Sequence, residues 1–132
     1  MGANGDIVTG IYAAFAKGDV PAVLGSFDPA IVWNEAEGYR FAKGNPHVGP
    51  QTILLSVFMP LVSQLDGFVV TPSQVIDGGD SVAVEGRYNG TVKATGTRLD
   101  AQFVHVYGLR GGKIVTFQQY TDTAQWNRAF GD

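Results

Sequence analysis

The second half of the chain contains four runs of alternating apolar and polar residues, separated by short turns rich in glycine. The runs read FVVTPSQVID, SVAVEGRYNGTVKA, TRLDAQFVHVYGL and KIVTFQQYT, and the turns contain GGD, TG and RGG. Alternation with a period of two is typical of half-buried strands, and tight glycine turns join antiparallel neighbours. The pattern therefore predicts an antiparallel meander, whose apolar face needs a second layer of structure to cover it.

The third of these runs separates its side chains onto two faces. One face is expected to meet the covering layer, and it carries Leu99, Ala101, Phe103, His105, Tyr107 and Leu109. The other face begins with charged residues but ends in Val104 and Val106, and Tyr120 of the next strand adds to it. An outer face this apolar predicts a homodimer that forms through the outer face of the sheet.

The first half of the chain predicts helices and one strand. Ile7, Ile11 and Phe15 recur every four residues, and Asn4 or Asp6 is a candidate N-cap for this first helix. Gly18 is expected to end it. Asp19 is expected to cap a second short helix that has Pro21 in its first turn and Val23, Leu24 and Phe27 facing inward.

An apolar strand-like run begins at Ile31 and leads into a loop, GYRFAKGNPHVGP. Pro50 reads as the first residue of a third helix, which Pro60 is expected to kink or end. Asp122 is a candidate cap for a last helix, with Trp126 and Phe130 packing back on the sheet. The order of elements predicts an α+β fold with helices on one face of a curved sheet, and 132 residues suit one domain over positions 1–132.

Composition argues against several classes of partner. The net charge is −3 and the nine Lys and Arg residues are scattered singly, so we expect no nucleic-acid partner. No apolar run approaches membrane-spanning length, so we expect no membrane partner. The absence of cysteine and of a recognisable leader predicts a cytoplasmic protein. The two histidines lack the spacing of metal ligands, so no metal site is predicted.

The order of elements, together with YAAFAKGDVPAVLGSF and GGKIVTFQQY, resembles the NTF2-like superfamily, and within it the SnoaL-like and ketosteroid-isomerase-related branch. The resemblance covers nearly the whole chain. It implies a cone, in which a strongly curved mixed or antiparallel sheet wraps around the N-terminal helices and encloses one apolar pocket. It also implies a homodimer that binds a hydrophobic small molecule and uses no cofactor.

The resemblance assigns candidate catalytic positions one at a time. The general-base aspartate of the family falls on Glu35, and its oxyanion-donor aspartate falls on His105 if a loop is one residue shorter here. The catalytic tyrosine of the first helix falls on Ile11, which has no hydroxyl. Tyr12 is the next residue, but it is rotated by about 100° around a helix of ~3.6 residues per turn. The donor pair of the steroid isomerases is therefore not reproduced.

The stretch IVWNEAEG has its own physical interpretation. Alternation puts Ile31, Trp33 and Glu35 on one face, so that a carboxylate is expected at the mouth of an apolar pocket, beside an indole and partly buried. Burial raises the pKa of a carboxyl group towards the range useful for a general base. The alternative is that Glu35 ends the strand in water, or pairs with Arg40 or Arg87. Glu37 is expected to be solvated.

His105 also has two interpretations. It is either a satisfied histidine in the core or a neutral imidazole that donates to a developing enolate or acts as an acid. Trp33, Phe103, Tyr107 and Phe117 are candidate apolar walls of the pocket. Candidates for polar contacts with a ligand are Tyr12, Asn34, Tyr88, Gln119 and Thr121. His47 lies in the loop after the first strand and is expected to be exposed.

Two functions follow from these residues. One is a cofactor-free isomerase, cyclase or dehydratase that abstracts a proton from a hydrophobic carbonyl compound, with Glu35 as base and His105 as acid or oxyanion donor. The other is a noncatalytic module that binds a hydrophobic ligand. The sequence Arg98-Leu99-Asp100 resembles the R-x-D pair of limonene-epoxide-hydrolase relatives, but alternation puts both charged residues on the face opposite His105.

Overall fold

The computed structural model describes residues 2–132, which form five α-helices, a π-helical turn and a six-stranded sheet. The helices are α1 Ala3–Ala16, α2 Val20–Gly25, α3 Pro50–Ile53, α4 Met59–Gln64 and α5 Thr123–Ala129, and the π-turn is Leu54–Phe58. The strands are β1 Phe27–Asn34, β2 His47–Val48, β3 Leu65–Asp77, β4 Ser81–Val92, β5 Arg98–Arg110 and β6 Lys113–Thr121. The α+β fold and the four-stranded meander are therefore confirmed.

The sheet runs in the order β2-β1-β6-β5-β4-β3. Only the β1–β6 pair is parallel, so the sheet is mixed. Register shifts interrupt β1, β3 and β5, and such bulges bend strands and increase their twist. Helix α1 packs against β3 and β4 of the bent sheet, and α5 packs against β5. The core lies between this inner face and the helices.

The predicted division of β5 into two faces is confirmed. All six residues expected on the inner face are buried, and the residues between them are exposed or half-buried. On the outer face, Val104 lies directly opposite Tyr120, and the Tyr120 side chain is exposed. The alternation is a local property of extended backbone, which explains why the pattern alone was sufficient.

Two helix caps are as predicted and one is not. Asp19 accepts a hydrogen bond from the Ala22 amide, and Asp122 accepts one from the Gln125 amide. The predicted N-cap of α1 was wrong, because neither the Asn4 nor the Asp6 side chain caps the helix. The carboxylate of Asp77, at the end of β3, instead accepts hydrogen bonds from the amides of Gly2 and Gly5 at 3.0 and 3.1 Å. A cap supplied across the fold leaves no local signature in the sequence.

Three further expectations about the first half are corrected. The second helix ends at Gly25, so Phe27 faces the core as the first residue of β1 instead. Pro60 does not end the helical segment, because α4 continues after it to Gln64. The helix widens into the π-turn Leu54–Phe58 directly before Pro60, which lacks the amide hydrogen that a regular α-helix would use there. His47 is 4% exposed because it pairs with Trp33 across β1 and β2.

No helix within residues 2–132 is long and apolar enough to cross a membrane.

Candidate functional site

A cavity lies between the inner face of the sheet and the helices, and most of the predicted site residues line it. Glu35 and His105 line the same cavity, together with the predicted contacts Tyr12, Trp33, Tyr88, Tyr107, Phe117 and Gln119. The free space at its centre is about 60 Å³. At roughly 10–15 Å³ for each water molecule, this holds about four to six waters. A larger ligand therefore requires the lining side chains to move.

Seven apolar lining residues were missed at the sequence level. They are Ile11, Phe15, Val23, Phe58, Leu61, Phe68 and Val70, from α1, α2, the π-turn, α4 and β3. Hydrophobicity suggested that several of them face the core, but a core residue and a cavity-lining residue have the same pattern. The distinction depends on where packing leaves space.

Glu35 follows β1 directly and is held by both its backbone and its side chain. The Asn45 side chain accepts from the Glu35 amide at 3.0 Å and donates to the Glu35 carbonyl at 2.8 Å. The Trp33 indole N–H donates to Glu35 Oε1 at 3.0 Å. Asn45 was not predicted, and its contribution is to fix the backbone at the end of the strand so that the carboxyl group faces inward.

Burial dominates the electrostatics of Glu35, which is 2% exposed. Loss of hydration raises the pKa of its carboxyl group from the ordinary 4.5 to about 7, although the indole hydrogen bond opposes the shift. Neither Arg40 nor Arg87, the two arginines considered above as partners, forms an ion pair with the Glu35 carboxylate. Arg40 pairs with Asp132 at 2.7 Å, and Arg87 pairs with Asp100 at 2.8 Å. A carboxyl group with this pKa is divided between its acid and base forms near pH 7.

His105 is held by two tyrosines, one at each ring nitrogen. The Tyr12 hydroxyl is hydrogen-bonded to Nδ1 at 2.7 Å, and the Tyr88 hydroxyl is hydrogen-bonded to Nε2. Tyr107 donates to the Tyr12 hydroxyl at 2.8 Å, and the Gln119 amide donates to the Tyr88 hydroxyl at 2.9 Å. The five side chains form one continuous buried network along the cavity wall.

The network keeps its members neutral. Burial lowers the pKa of His105 from 6.5 to about 3, so its imidazole is uncharged at neutral pH. Burial likewise raises the pKa of the Tyr12, Tyr88 and Tyr107 hydroxyls, which therefore remain protonated. The nearby Glu35 carboxylate contributes to the raised pKa of Tyr88 and Tyr107.

The geometry bears on the expected role of His105, which stays a prediction. A histidine that donates directly to a ligand needs a free ring N–H, but both nitrogens of His105 face tyrosine hydroxyls. Tyr12, by contrast, reaches the cavity although it is rotated from the family position occupied by Ile11. Ile11 and Tyr12 both line the cavity, because the sheet covers a face of α1 wide enough to include the two positions.

Two predicted contact residues lie outside the cavity. Phe103 is buried and stacks on the His105 ring, with centroids 4.0 Å apart, so it supports that ring and is not a wall. The Thr121 hydroxyl donates to the Gln102 backbone carbonyl at 2.7 Å and is not among the residues that line the cavity. Thr121 lies at the end of β6, beyond Gln119, where its hydroxyl also accepts a hydrogen bond from the Trp126 indole at 3.3 Å. Asn34 lines a groove on the outside, and Glu37 is exposed as expected.

The R-x-D pair lies on the outer face, as alternation predicted. Asp100 forms its ion pair with Arg87 on the neighbouring strand, and both side chains are more than half exposed. These groups have no contact with the cavity, so the structure gives no support to the epoxide-hydrolase arrangement.

Comparison with known proteins gives the family. Residues 8–117 match the SnoaL-like domain, and the chain therefore belongs to the SnoaL-like family, which confirms the resemblance. An NTF2-like protein from Burkholderia thailandensis is 34% identical, with a TM-score of 0.92 over 98% of both chains. No curated protein matches the chain in sequence.

Two further solved structures have the same fold. An NTF2-like protein of unknown function from Burkholderia pseudomallei is 26% identical, with a TM-score of 0.90 over the whole of both chains. TerC, co-crystallized with polyporic acid, is 24% identical, with a TM-score of 0.87 over 99% of this chain and 100% of TerC.

Proposed function

We propose that the protein is a cofactor-free acid–base enzyme that acts on a hydrophobic carbonyl compound, as an isomerase, cyclase or dehydratase. The observation that carries the proposal is the Glu35 carboxyl group, which is buried in an aromatic cavity, has no ion pair within residues 2–132 and has a pKa raised to about 7. A general base is most effective when its pKa lies near the working pH.

The first step is removal of a proton from the carbon next to the carbonyl group. Glu35 takes this proton on a carboxylate oxygen, the electron pair moves into the new carbon–carbon double bond, and the carbonyl oxygen becomes an enolate oxygen. A hydroxyl on the cavity wall donates a hydrogen bond to that oxygen. Glu35 then returns the proton to a different carbon in an isomerisation, or the enolate attacks a second carbonyl group of the same substrate in a cyclisation.

The cavity wall supplies suitable donors for the enolate. Tyr12 and Tyr88 are both buried, neutral and held in place by His105. Fixed donors in a site that excludes water stabilise developing charge more strongly than water does. We therefore assign direct donation to the tyrosines and not to His105.

The test is exchange of hydrogen for deuterium at the α-carbons of cyclohexanone and acetophenone, followed by NMR. We expect wild-type protein to accelerate the exchange and Glu35→Gln to lose at least ~100-fold of that acceleration, since one acid–base group typically supplies 10²- to 10⁴-fold. Glu37→Gln is the matched control, because Glu37 lies two residues away and is exposed. Equal rates in wild type and Glu35→Gln would contradict the proposal.

The second candidate is a noncatalytic module that binds a hydrophobic ligand. It is supported by the lining, which is largely aromatic and aliphatic, and by TerC, a protein of the same fold co-crystallized with polyporic acid. This candidate predicts saturable binding of a ketone whose α-protons exchange no faster than in buffer. Turnover that depends on Glu35 would exclude it.

A further inference from the structure

The hydrogen bonds around His105 contain one more proton than they can use. Four contacts join Tyr107, Tyr12, His105, Tyr88 and Gln119 in a line. Five protons can point along these contacts: three hydroxyl protons, one ring N–H of the neutral imidazole and the one of the two Gln119 amide protons that faces Tyr88. One proton is therefore left without an acceptor inside the network.

The Gln119 end of the line is fixed by a second contact. Gln119 Oε1 accepts from the Ala36 backbone amide at 3.1 Å, so the other end of that side chain, Nε2, must donate to Tyr88. At the opposite end, Tyr107 donates to the Tyr12 hydroxyl. The hydroxyls of Tyr12 and Tyr88 each already accept one hydrogen bond before His105 is considered.

The tautomer of His105 determines which proton is left over. With the proton on Nε2, the ring donates to Tyr88 and accepts from Tyr12, so the Tyr88 proton is free. With the proton on Nδ1, the ring donates to Tyr12 and accepts from Tyr88, so the Tyr12 proton is free. Both tyrosines line the cavity, and a buried hydroxyl proton without an acceptor is costly.

We propose that His105 is a positioning residue whose tautomer determines whether Tyr12 or Tyr88 donates its hydroxyl proton into the cavity. The complementary ligand group is an oxygen that only accepts, such as a carbonyl, enolate or phenolate oxygen. A change of tautomer moves the donor from one side of the imidazole to the other without moving a heavy atom. This inference rests on the proposed function for the identity of the ligand oxygen, but the proton count is independent of it.

The identity of the residues supports this role. Phenylalanine at position 105 would leave both tyrosines without their shared partner, and Asp or Glu there would accept from both. Only a group with one donor and one acceptor, on opposite sides of a rigid ring, can exchange the two roles. Phe103 stacks on that ring with an interplanar angle of 15°, which holds it in the plane that both hydroxyls require.

Two single substitutions are expected to lock opposite tautomers. In Tyr12→Phe, a proton on Nδ1 would be a buried donor without a partner, so the proton is expected on Nε2. In Tyr88→Phe the same argument puts it on Nδ1. In both cases the ring keeps an unpaired acceptor, which costs less than an unpaired N–H.

The measurement is the pair of ring ¹⁵N chemical shifts of His105 at pH 7 in ¹⁵N-labelled protein. His47 is the only other histidine, so a His47→Asn sample assigns the signals. We expect the protonated and bare nitrogens to exchange places between Tyr12→Phe and Tyr88→Phe. The matched control is Tyr107→Phe, which removes a buried hydroxyl from the same network but leaves both tautomers possible. The same tautomer in both variants, or a doubly protonated ring in either, would overturn the proposal.

A second measurement uses wild-type protein alone, in case a variant does not fold. Cyclohexanone is compared with methylenecyclohexane, which has the same shape but no oxygen. We expect the His105 ring shifts to move towards one tautomer with the ketone and not with the alkene. No difference between the two probes would overturn the assignment of the donated proton to the cavity. Because neither measurement requires turnover, opposite tautomers without ketone exchange would refute the proposed function and leave this inference standing.

Discussion

Burial of the Glu35 carboxyl group is expected to make the protein less stable as the pH rises. In the unfolded chain this group titrates at about 4.5, and in the folded protein it titrates at about 7. Between these values the folded state holds a proton that the unfolded state has lost, so the free energy of unfolding falls with increasing pH. A difference of about 2.5 between the pKa values corresponds to about 3 kcal/mol at 1.36 kcal/mol per unit.

His105 has the opposite effect over part of the same range. Its pKa is lowered from 6.5 to about 3, so the unfolded chain binds a proton that the folded protein does not. This contribution raises the stability as the pH increases from about 3 to 6.5. The stability of wild type alone therefore combines two opposing trends, and only the difference from a Glu35 variant isolates the carboxyl group.

The variant is Glu35→Gln, whose side-chain oxygen can still accept from the Trp33 indole. We expect it to match wild type within about 1 kcal/mol at pH 4 and to become more stable than wild type at pH 8.5, with the difference growing by about 3 kcal/mol. Urea unfolding at four pH values between these limits measures this difference. Glu37→Gln, at an exposed position, is expected to give a difference that does not depend on pH. A Glu35→Gln difference that is constant across the range would refute the reasoning.

Three other outcomes are expected. Gly86→Ala lowers the free energy of unfolding in urea by about 1–3 kcal/mol or more, because the added Cβ would overlap the Thr71 carbonyl and the Phe103 ring. Gly10→Ala raises the free energy of unfolding by about 0.5–1 kcal/mol, because this position in α1 has open space around it and alanine favours the helix. If the outer sheet face forms a homodimer, Val104→Lys reduces the mass in light scattering from twice 14.0 kDa to 14.0 kDa, and an unchanged mass would contradict that interface. The rate of α-carbon exchange rises with pH, with its midpoint near the Glu35 pKa of about 7, and a flat profile from pH 5 to 9 would exclude Glu35 as the base.

Features that depend on neighbouring residues were readable from the sequence. The alternating faces of β5, the glycine at the end of α1 and the caps from Asp19 and Asp122 are all set by backbone geometry within a few residues. Gly18, for example, has φ of 72°, a conformation that glycine adopts without steric cost. The inward direction of Glu35 was readable too, because it continues the alternation of Ile31 and Trp33, although the contact with Asn45 that holds its backbone was not.

Features that depend on distant residues were not readable. Asp77 caps a helix more than seventy positions away, and His47 is buried because a two-residue strand pairs it with Trp33. Tyr12 was a candidate pocket contact and does line the cavity, but its hydrogen bonds to His105 and Tyr107, more than ninety positions away, had no signal in the sequence. Each of these depends on a contact whose two partners carry no mark of each other in the sequence.

The sequence by itself therefore determined the four strands of the meander, the two faces of β5 and the presence of a carboxyl group among aromatic residues, because periodicity is a local property of the backbone. Only the tertiary structure decided the chemistry of that carboxyl group and of His105. A pKa depends on how completely water is excluded, and the role of a histidine depends on which groups meet its two nitrogens. Here five side chains from α1, β4, β5 and β6 meet in one buried network, and only the packing of these elements against one another brings them together.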